Sequence, residues 1–377
     1  MIKRSNSRRI VDVCLATIAE VAFLIGSTVP NAMAKTTAEQ KIASRVAHMT
    51  TKQKVGQLFV TGVSNDASAT KHAIKQYDLG GIILMGNNFV GSRSSFKNRL
   101  KGYQRSAKIP LTIATDQEGG TVSRLSSNSA ISGHSAYLSP RQAYAKGGMK
   151  QVLKEYKSEA KTLHTLGINW NYAPDADVSE RTGSFIYPRA FSKSYAKTAI
   201  YIKDVVPAIQ QYNVAATLKH FPGYGAAADT HTGAAAVNRS LKSFESKDFL
   251  PFKAGIKAGV DSIMVTHIIL SKIDPGRPAS LSRKDITLLR KTLGFKGVIV
   301  SDSLQMGAVT AYANKHHVYR DVAAIKAGND VILSSDYRTG IPKVEHALAK
   351  KQISTKQLNA SVARILLMKH KLGLKVY

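Results

Sequence analysis

Gly297-Val298-Ile299-Val300-Ser301-Asp302 is a short apolar run, opened by a glycine and stopped by a carboxylate. Val-Ile-Val is β-branched and stiff at χ1, which suits a strand. The run is too short for a helix and has no polar alternation, so it predicts a strand covered on both faces. Seven more runs of this kind lie along the chain: 55–63, 81–85, 110–115, 168–173, 214–219, 261–266 and 330–334. Between them lie segments with helical periodicity. The last is the clearest, with Leu358, Val362, Ile365 and Leu366 on one face and Ser354/Gln357 as a capping box ahead of them. Buried strands alternating with helices predict a parallel sheet covered by helices. Eight units in about 340 residues suit a closed (β/α)₈ TIM-type barrel, an α/β fold in a single domain over 35–377. The competing architecture is an open doubly wound sheet. Its Gly-x-Gly-x-x-Gly turn is missing after the first run, and Gly223-Tyr224-Gly225 after the fifth lacks the third glycine.

The ends of these runs carry the chain's unusual residues. Asp116-Gln117-Glu118-Gly119-Gly120 follows the third run. Asn171, Asp175 and Asp177 belong to the fourth, and Lys219-His220 with Asp229-Thr230-His231 to the fifth. His267 follows the sixth and Asp302 the seventh. In a barrel these C-terminal ends form one face, the face that carries active sites.

A carboxylate such as Asp302 at a strand end is held rigidly, and it can attack an anomeric carbon or stabilise an oxocarbenium ion. It can equally be the N-cap of a helix beginning near Leu304. His231 lies two residues beyond Asp229, a spacing that lets the carboxylate orient the imidazole for proton transfer. The alternative is two unrelated loop residues. His220, His231 and His267 are also conceivable as a zinc set, but their spacings match no helix-borne metal motif. No metal or other cofactor is therefore expected. Asp116 offers acceptors to paired hydroxyls, and the adjacent glycines would let the backbone pass close to a ligand. Arg124 and Arg189 can donate to the same hydroxyls, or simply form surface salt bridges. Trp170, the only tryptophan, is expected to pack inside the barrel.

Asp116 through Gly120 with Arg124, Lys219-His220-Phe221-Pro222-Gly223, Asp229-Thr230-His231 and Ser301-Asp302 resemble glycoside hydrolase family 3. The likeness is greatest to its bacterial β-N-acetylglucosaminidase (β-hexosaminidase) branch, and it runs in order from about Leu58 to Leu374. The resemblance implies a barrel and a retaining mechanism through a covalent glycosyl-enzyme. It makes Asp302 the nucleophile, His231 the acid/base and Asp229 the partner that tunes His231. Asp116, Arg124, Arg189, Lys219 and His220 match positions that hold a terminal N-acetylglucosamine, so the implied partner is a glycan containing that sugar. Two positions depart from the branch. Tyr224 stands where a second histidine is usual, and Thr121 where an arginine usually follows the double glycine. The chain also stops near Leu374, without the second domain found in some relatives. A β-glucosidase or glycoside phosphorylase of the same family is the nearest alternative, and His231 argues against it. A cationic wall-binding barrel without turnover is another.

Lys3, Arg4, Arg8 and Arg9, an apolar run from Val13 to Ile25 and Ala32-Met33-Ala34 read as an export signal over 1–34. A stable membrane span is not expected, because the run falls short of the ~20 residues a span needs. Cys14 is the only cysteine and lies within this segment. The chain's formal charge is +30, and +28 without the segment. That charge attracts polyanions. The basic residues lack the interleaved aromatics that stack bases, so the expectation is an anionic cell wall rather than nucleic acid. A secreted or wall-associated enzyme is the resulting picture.

Overall fold

The computed structural model describes residues 37–377. The export segment expected over 1–34, with Cys14, lies outside the described residues. Each of the eight apolar runs supplies one barrel strand: β1 Phe59–Gly62, β2 Gly81–Leu84, β3 Thr112–Thr115, β4 Trp170–Asn171, β5 Ala215–Phe221, β6 Ser262–Val265, β7 Val298–Ser303 and β8 Val331–Leu333. They pair in parallel and in chain order, and β8 closes onto β1. Val60 is level with Gly81, Ala114 with Trp170, Ile299 with Ile263, and Phe59 with Ile332. The open-sheet alternative is thereby excluded.

Two boundaries differ from the sequence reading. Val55 to Gln57 end a helix, Thr51–Gln57, rather than opening β1. Thr50 and Gln53 form the capping box that starts this helix, and its apolar end runs straight into the strand. The last helix, Thr355–Lys371, keeps Ser354 as N-cap to the Gln357 amide. The Gln357 side chain, however, donates to the Ile325 carbonyl instead of completing a box.

Alternation along each strand sorts its side chains. Phe59, Ile82, Ile113, Leu218, Ile263, Ile299 and Ile332 pack outward in the layer beneath the helices. Val60, Ala114, Trp170, Ala215, Met264, Val298, Val300 and Val331 fill the barrel, whose lower end is plugged by Ile365 and Met368 of the last helix and Leu372 just beyond it. Trp170 is fully buried as expected. Its indole N–H donates to Thr217 Oγ1 at 2.8 Å and Ser262 Oγ at 2.9 Å, so the donor is not stranded in the core. Asp330, at the N-terminal end of β8, ties the last helix to the barrel through Ser361 at 2.8 Å and Arg364 at 2.9 Å. No helix among the described residues is long and apolar enough to cross a membrane.

Lys369 on that last helix is fully buried, and its ammonium donates to Gln57 Oε1 at 2.6 Å. Burial alone drops its pKa from 10.5 to about 7. The unfolded chain therefore holds a proton between pH 7 and 10.5 that the folded chain has released, and stability must rise with pH across that window. Lys369→Met should stabilise the protein at pH 7.5 by on the order of 1–3 kcal/mol, with the gap closing toward pH 9.5. Thermal unfolding of both proteins at the two pH values checks this. A gap of unchanged size would show that the buried ammonium is not its cause.

Candidate active site

The same alternation that fills the barrel aims its last polar residues into the mouth. Asp116 shares the parity of Ala114, Lys219 that of Ala215 and Thr217, and Asp302 that of Val298 and Val300. All three line one cavity of about 610 Å³ at the C-terminal ends of the strands, together with Glu118, Arg124, Phe185, Arg189, His220 and His231. The helix that follows β7 begins only at Gly307, so Asp302 is not its N-cap.

The floor of the cavity is an ionic cage. Lys219 Nζ lies 2.8 Å from Asp116 Oδ1 and 2.6 Å from Glu118 Oε1. Arg189 donates to both oxygens of Glu118, at 2.9 and 2.8 Å. Burial pushes the Glu118 pKa up, but the Arg189 and Lys219 charges outweigh it and bring it down to about 2. Glu118 is thus a fixed anion that holds two cations in place, and it has no proton to give at working pH. Arg124 reaches Asp116 Oδ2 at 3.6 Å, so it sits at this site rather than in a remote surface bridge. Asp116 keeps an open side toward the cavity.

His220 is more deeply committed than its sequence position suggested. Its Nδ1 is 2.7 Å from Asp177 Oδ2, and its Nε2 is 3.2 Å from Arg189 Nη2. Burial, aided by the Arg189 charge, lowers its pKa to about 4. The neutral ring therefore donates through Nδ1 and accepts through Nε2. His267 is likewise engaged at both nitrogens, by Ser280 Oγ at 2.7 Å and the Ser303 carbonyl at 2.9 Å. Of the three histidines once conceivable as zinc ligands, two have no nitrogen to spare. Asp175 and Asp177 lie beside His220, with ligand atoms within 4.8 Å of one another. Asp177, however, spends its oxygens on His220 and on the Tyr224 amide at 2.7 Å.

Asp302 is partly buried at the mouth and accepts the Ser303 amide at Oδ1, 2.7 Å away. Burial raises its pKa, but His267, His220, the Ser303 amide and the Lys219 ammonium together hold it below the ordinary carboxylate value. The carboxylate is ionised, as a nucleophile must be.

His231 comes from the loop after β5, its side chain 59% exposed and that of Asp229 30%. Nδ1 is 2.6 Å from Asp229 Oδ1, and the same oxygen accepts the His231 amide at 2.9 Å. That bond fixes the tautomer and leaves Nε2 for whatever enters the cavity. The spacing reading of a carboxylate orienting an imidazole therefore holds geometrically. The ring stands 5.8 Å from that of Phe185, which also lines the cavity.

Two features escaped the sequence reading. Glu118 belongs to the Asp116–Gly120 motif and shares the parity of Asp116, which directs it to the same mouth. The glycines beside it were read as clearance for a ligand. Gly119 has φ +81°, and a Cβ there would lie 2.1 Å from the Leu138 carbonyl oxygen, so its clearance serves the chain's own backbone. Thr121 does line the cavity, and the Tyr224 ring is buried behind it.

A closed barrel with carboxylates and an oriented imidazole at its C-terminal mouth defines an enzyme scaffold of the (β/α)₈ class. Residues 50–368 match the Glycosyl hydrolase family 3 N terminal domain, and the chain belongs to that family. It is 33% identical to Beta-hexosaminidase A of Pseudoalteromonas piscicida over 79% of this chain and 54% of that one. It is 32% identical to a Beta-hexosaminidase of Xanthomonas oryzae pv. oryzae over 73% of this chain and 82% of that one. A family 3 β-N-acetylglucosaminidase structure from Paenibacillus sp. superposes with a TM-score of 0.79 at 30% identity, over 86% of this chain and 63% of that one. The chain thus spans about half the length of the Pseudoalteromonas protein and under two thirds of the Paenibacillus one.

Proposed function

We propose that the chain is a retaining exo-β-N-acetylglucosaminidase that removes terminal N-acetylglucosamine from peptidoglycan fragments or chitin-like oligosaccharides. The observation that carries this reading is the convergence of Asp302 and the Asp229–His231 pair on one cavity whose floor is the Asp116–Lys219–Glu118–Arg189 cage. The names of the relatives above support the choice of sugar.

In this reading Asp116, Arg124, Arg189 and Lys219 grip the sugar's hydroxyls, and His220 steadies Arg189. Asp302 attacks the anomeric carbon. As the carboxylate–sugar bond forms, the glycosidic C–O bond breaks, and protonated His231 gives its Nε2 proton to the departing oxygen. Neutral His231 then takes a proton from water, which attacks the same carbon and releases Asp302. Glu118 cannot serve as the acid, because Arg189 and Lys219 keep it ionised. Asp177 is buried and absent from the cavity lining.

The test is a side-by-side assay on a chromogenic N-acetylglucosaminide and the matching glucoside. We expect kcat/KM to favour the N-acetylglucosaminide by at least about 100-fold, within the roughly 10⁴–10⁵-fold by which a site built to hydrogen-bond a group can reject an analogue lacking it. Equal rates, or preference for the glucoside, would assign the barrel to the β-glucosidase side of the family. Phosphate-dependent release of a sugar phosphate would make it a phosphorylase.

The proposal extends to location. An exported enzyme of this charge should be retained on anionic wall polymers by screened electrostatics. Binding to isolated walls should fall steeply with salt. Retention unchanged at ~1 M salt, where the Debye length is ~3 Å, would rule that mechanism out.

A further inference from the structure

Tyr224 is the position at which this chain departs from the usual histidine, and the structure gives its phenol a specific partner. The ring is buried, edge-on to His220 with centroids 5.3 Å apart and tilted against Phe185 at 5.7 Å. Its amide is held by Asp177 Oδ1, while Asp177 Oδ2 holds the His220 ring. Tyr224 is therefore anchored to the floor of the sugar pocket at its backbone and at its ring. Its hydroxyl bonds to the hydroxyl of Thr230, the residue between Asp229 and His231. Thr230 is fully buried, whereas Asp229 before it is half-buried and His231 after it is exposed.

This loop has few other ties. Gly225-Ala226-Ala227-Ala228 ahead of it carry no polar side chains, and no helix or strand spans 222–235. Its other ties include the Phe185 ring against that of His231, Ile269 N to the Ala235 carbonyl at 2.8 Å, and two backbone bonds to the helix after β7: Gly307 N to the His231 carbonyl at 3.1 Å and Ala308 N to the Thr230 carbonyl at 3.3 Å. A Cβ on Gly307 would come within 2.8 Å of that His231 oxygen, so the close approach depends on the glycine. Beside these main-chain bonds and the Phe185 ring contact, the buried pair of hydroxyls ties the stretch between Asp229 and His231 to the pocket floor. Burial raises the Tyr224 pKa to about 12, so the phenol keeps its proton for this bond at working pH.

We propose that Tyr224 is a positioning residue that latches the Asp229–His231 loop at the mouth through the Thr230 hydroxyl, so that His231 meets the leaving-group oxygen. The proposal rests on the reading of His231 as acid/base. The phenol has the Thr230 and Thr266 hydroxyls within reach, and of the two only Thr230 is set between the imidazole and its orienting carboxylate.

Tyr224→Phe removes that oxygen and keeps the ring, and Thr230→Val removes the other half of the latch. Each should lower kcat/KM on a natural disaccharide by about 3- to 10-fold, the scale of one lost hydrogen bond. The loss should come in kcat rather than KM, and should be smaller on an aryl glycoside whose leaving group departs without a proton. The double variant should be no worse than either single one, because both remove the same bond. Thermal unfolding verifies that each variant is folded, and Thr230→Val carries the test if Tyr224→Phe is not. Losses equal on both substrates, or losses that add in the double variant, overturn the latch. His231→Ala assayed on the same two substrates separates the two readings. If its loss ignores the leaving group, the acid/base assignment falls and the latch with it. If its loss follows the leaving group while that of Tyr224→Phe does not, the latch alone falls.

Discussion

Asp302→Ala is expected to lose turnover on every glycoside by on the order of 10⁴-fold or more, the scale on which removal of a covalent nucleophile is felt. The loss should not depend on the leaving group, because without the carboxylate no glycosyl-enzyme forms from any substrate. Folding should survive: Asp302 sits at the open end of β7 and accepts one backbone amide, so its removal strands no buried charge partner. The cage below remains closed by Asp116, Glu118, Lys219 and Arg189. A small anionic nucleophile such as azide fits the space left by the carboxylate. It should restore release of an activated leaving group and yield a product of inverted configuration. Rapid-quench analysis with product stereochemistry checks both points. An Asp302→Ala enzyme that kept an initial burst of aryl alcohol would place the nucleophile elsewhere.

The sequence allowed Asp302, Asp116 and Lys219 to be found because strand periodicity is strict. Once Val298 and Val300 are assigned to the barrel interior, Asp302 is directed to the mouth by geometry alone. The same rule applied to Asp116 points to Glu118, although a carboxylate followed by two glycines looks like loop chemistry. Its role depends on Arg189, 71 residues away, and no local pattern records that pairing. His220 shows the reverse case. Its place after Lys219 was legible, but its bonds to Asp177 and Arg189 come from other loops, and no local pattern records them. The start of β1 moved for a simpler reason: the Thr50/Gln53 capping box starts a helix that carries through Val55 to Gln57, so the apolar run opens inside it.

The last expectation separates the acid/base from the nucleophile. His231 stands on an exposed loop, with Nδ1 fixed by Asp229 and Nε2 free for the cavity. Its contribution to forming the glycosyl-enzyme is a proton, and the need for that proton scales with the basicity of the leaving oxygen. A sugar alcohol leaves poorly as an alkoxide, whereas an activated phenolate leaves unaided. His231→Ala should therefore cut hydrolysis of a natural disaccharide by about 10²–10⁴-fold. On an activated aryl glycoside the glycosylation step should be nearly spared. Water would then have lost its base, so an initial burst of aryl alcohol should precede slow deglycosylation. Asp229→Ala should give a weaker form of the same pattern, because the imidazole remains but loses the bond that fixes its tautomer and orientation. Asp302→Ala should show no burst on either substrate, so the three variants are distinguishable in one rapid-quench series. Equal losses on both substrates, with no trapped intermediate in His231→Ala, would remove His231 from the acid/base role. Glu118 is not the replacement, since Arg189 and Lys219 hold it as an anion with a pKa of about 2. The proton would then have to come from water admitted at the open mouth.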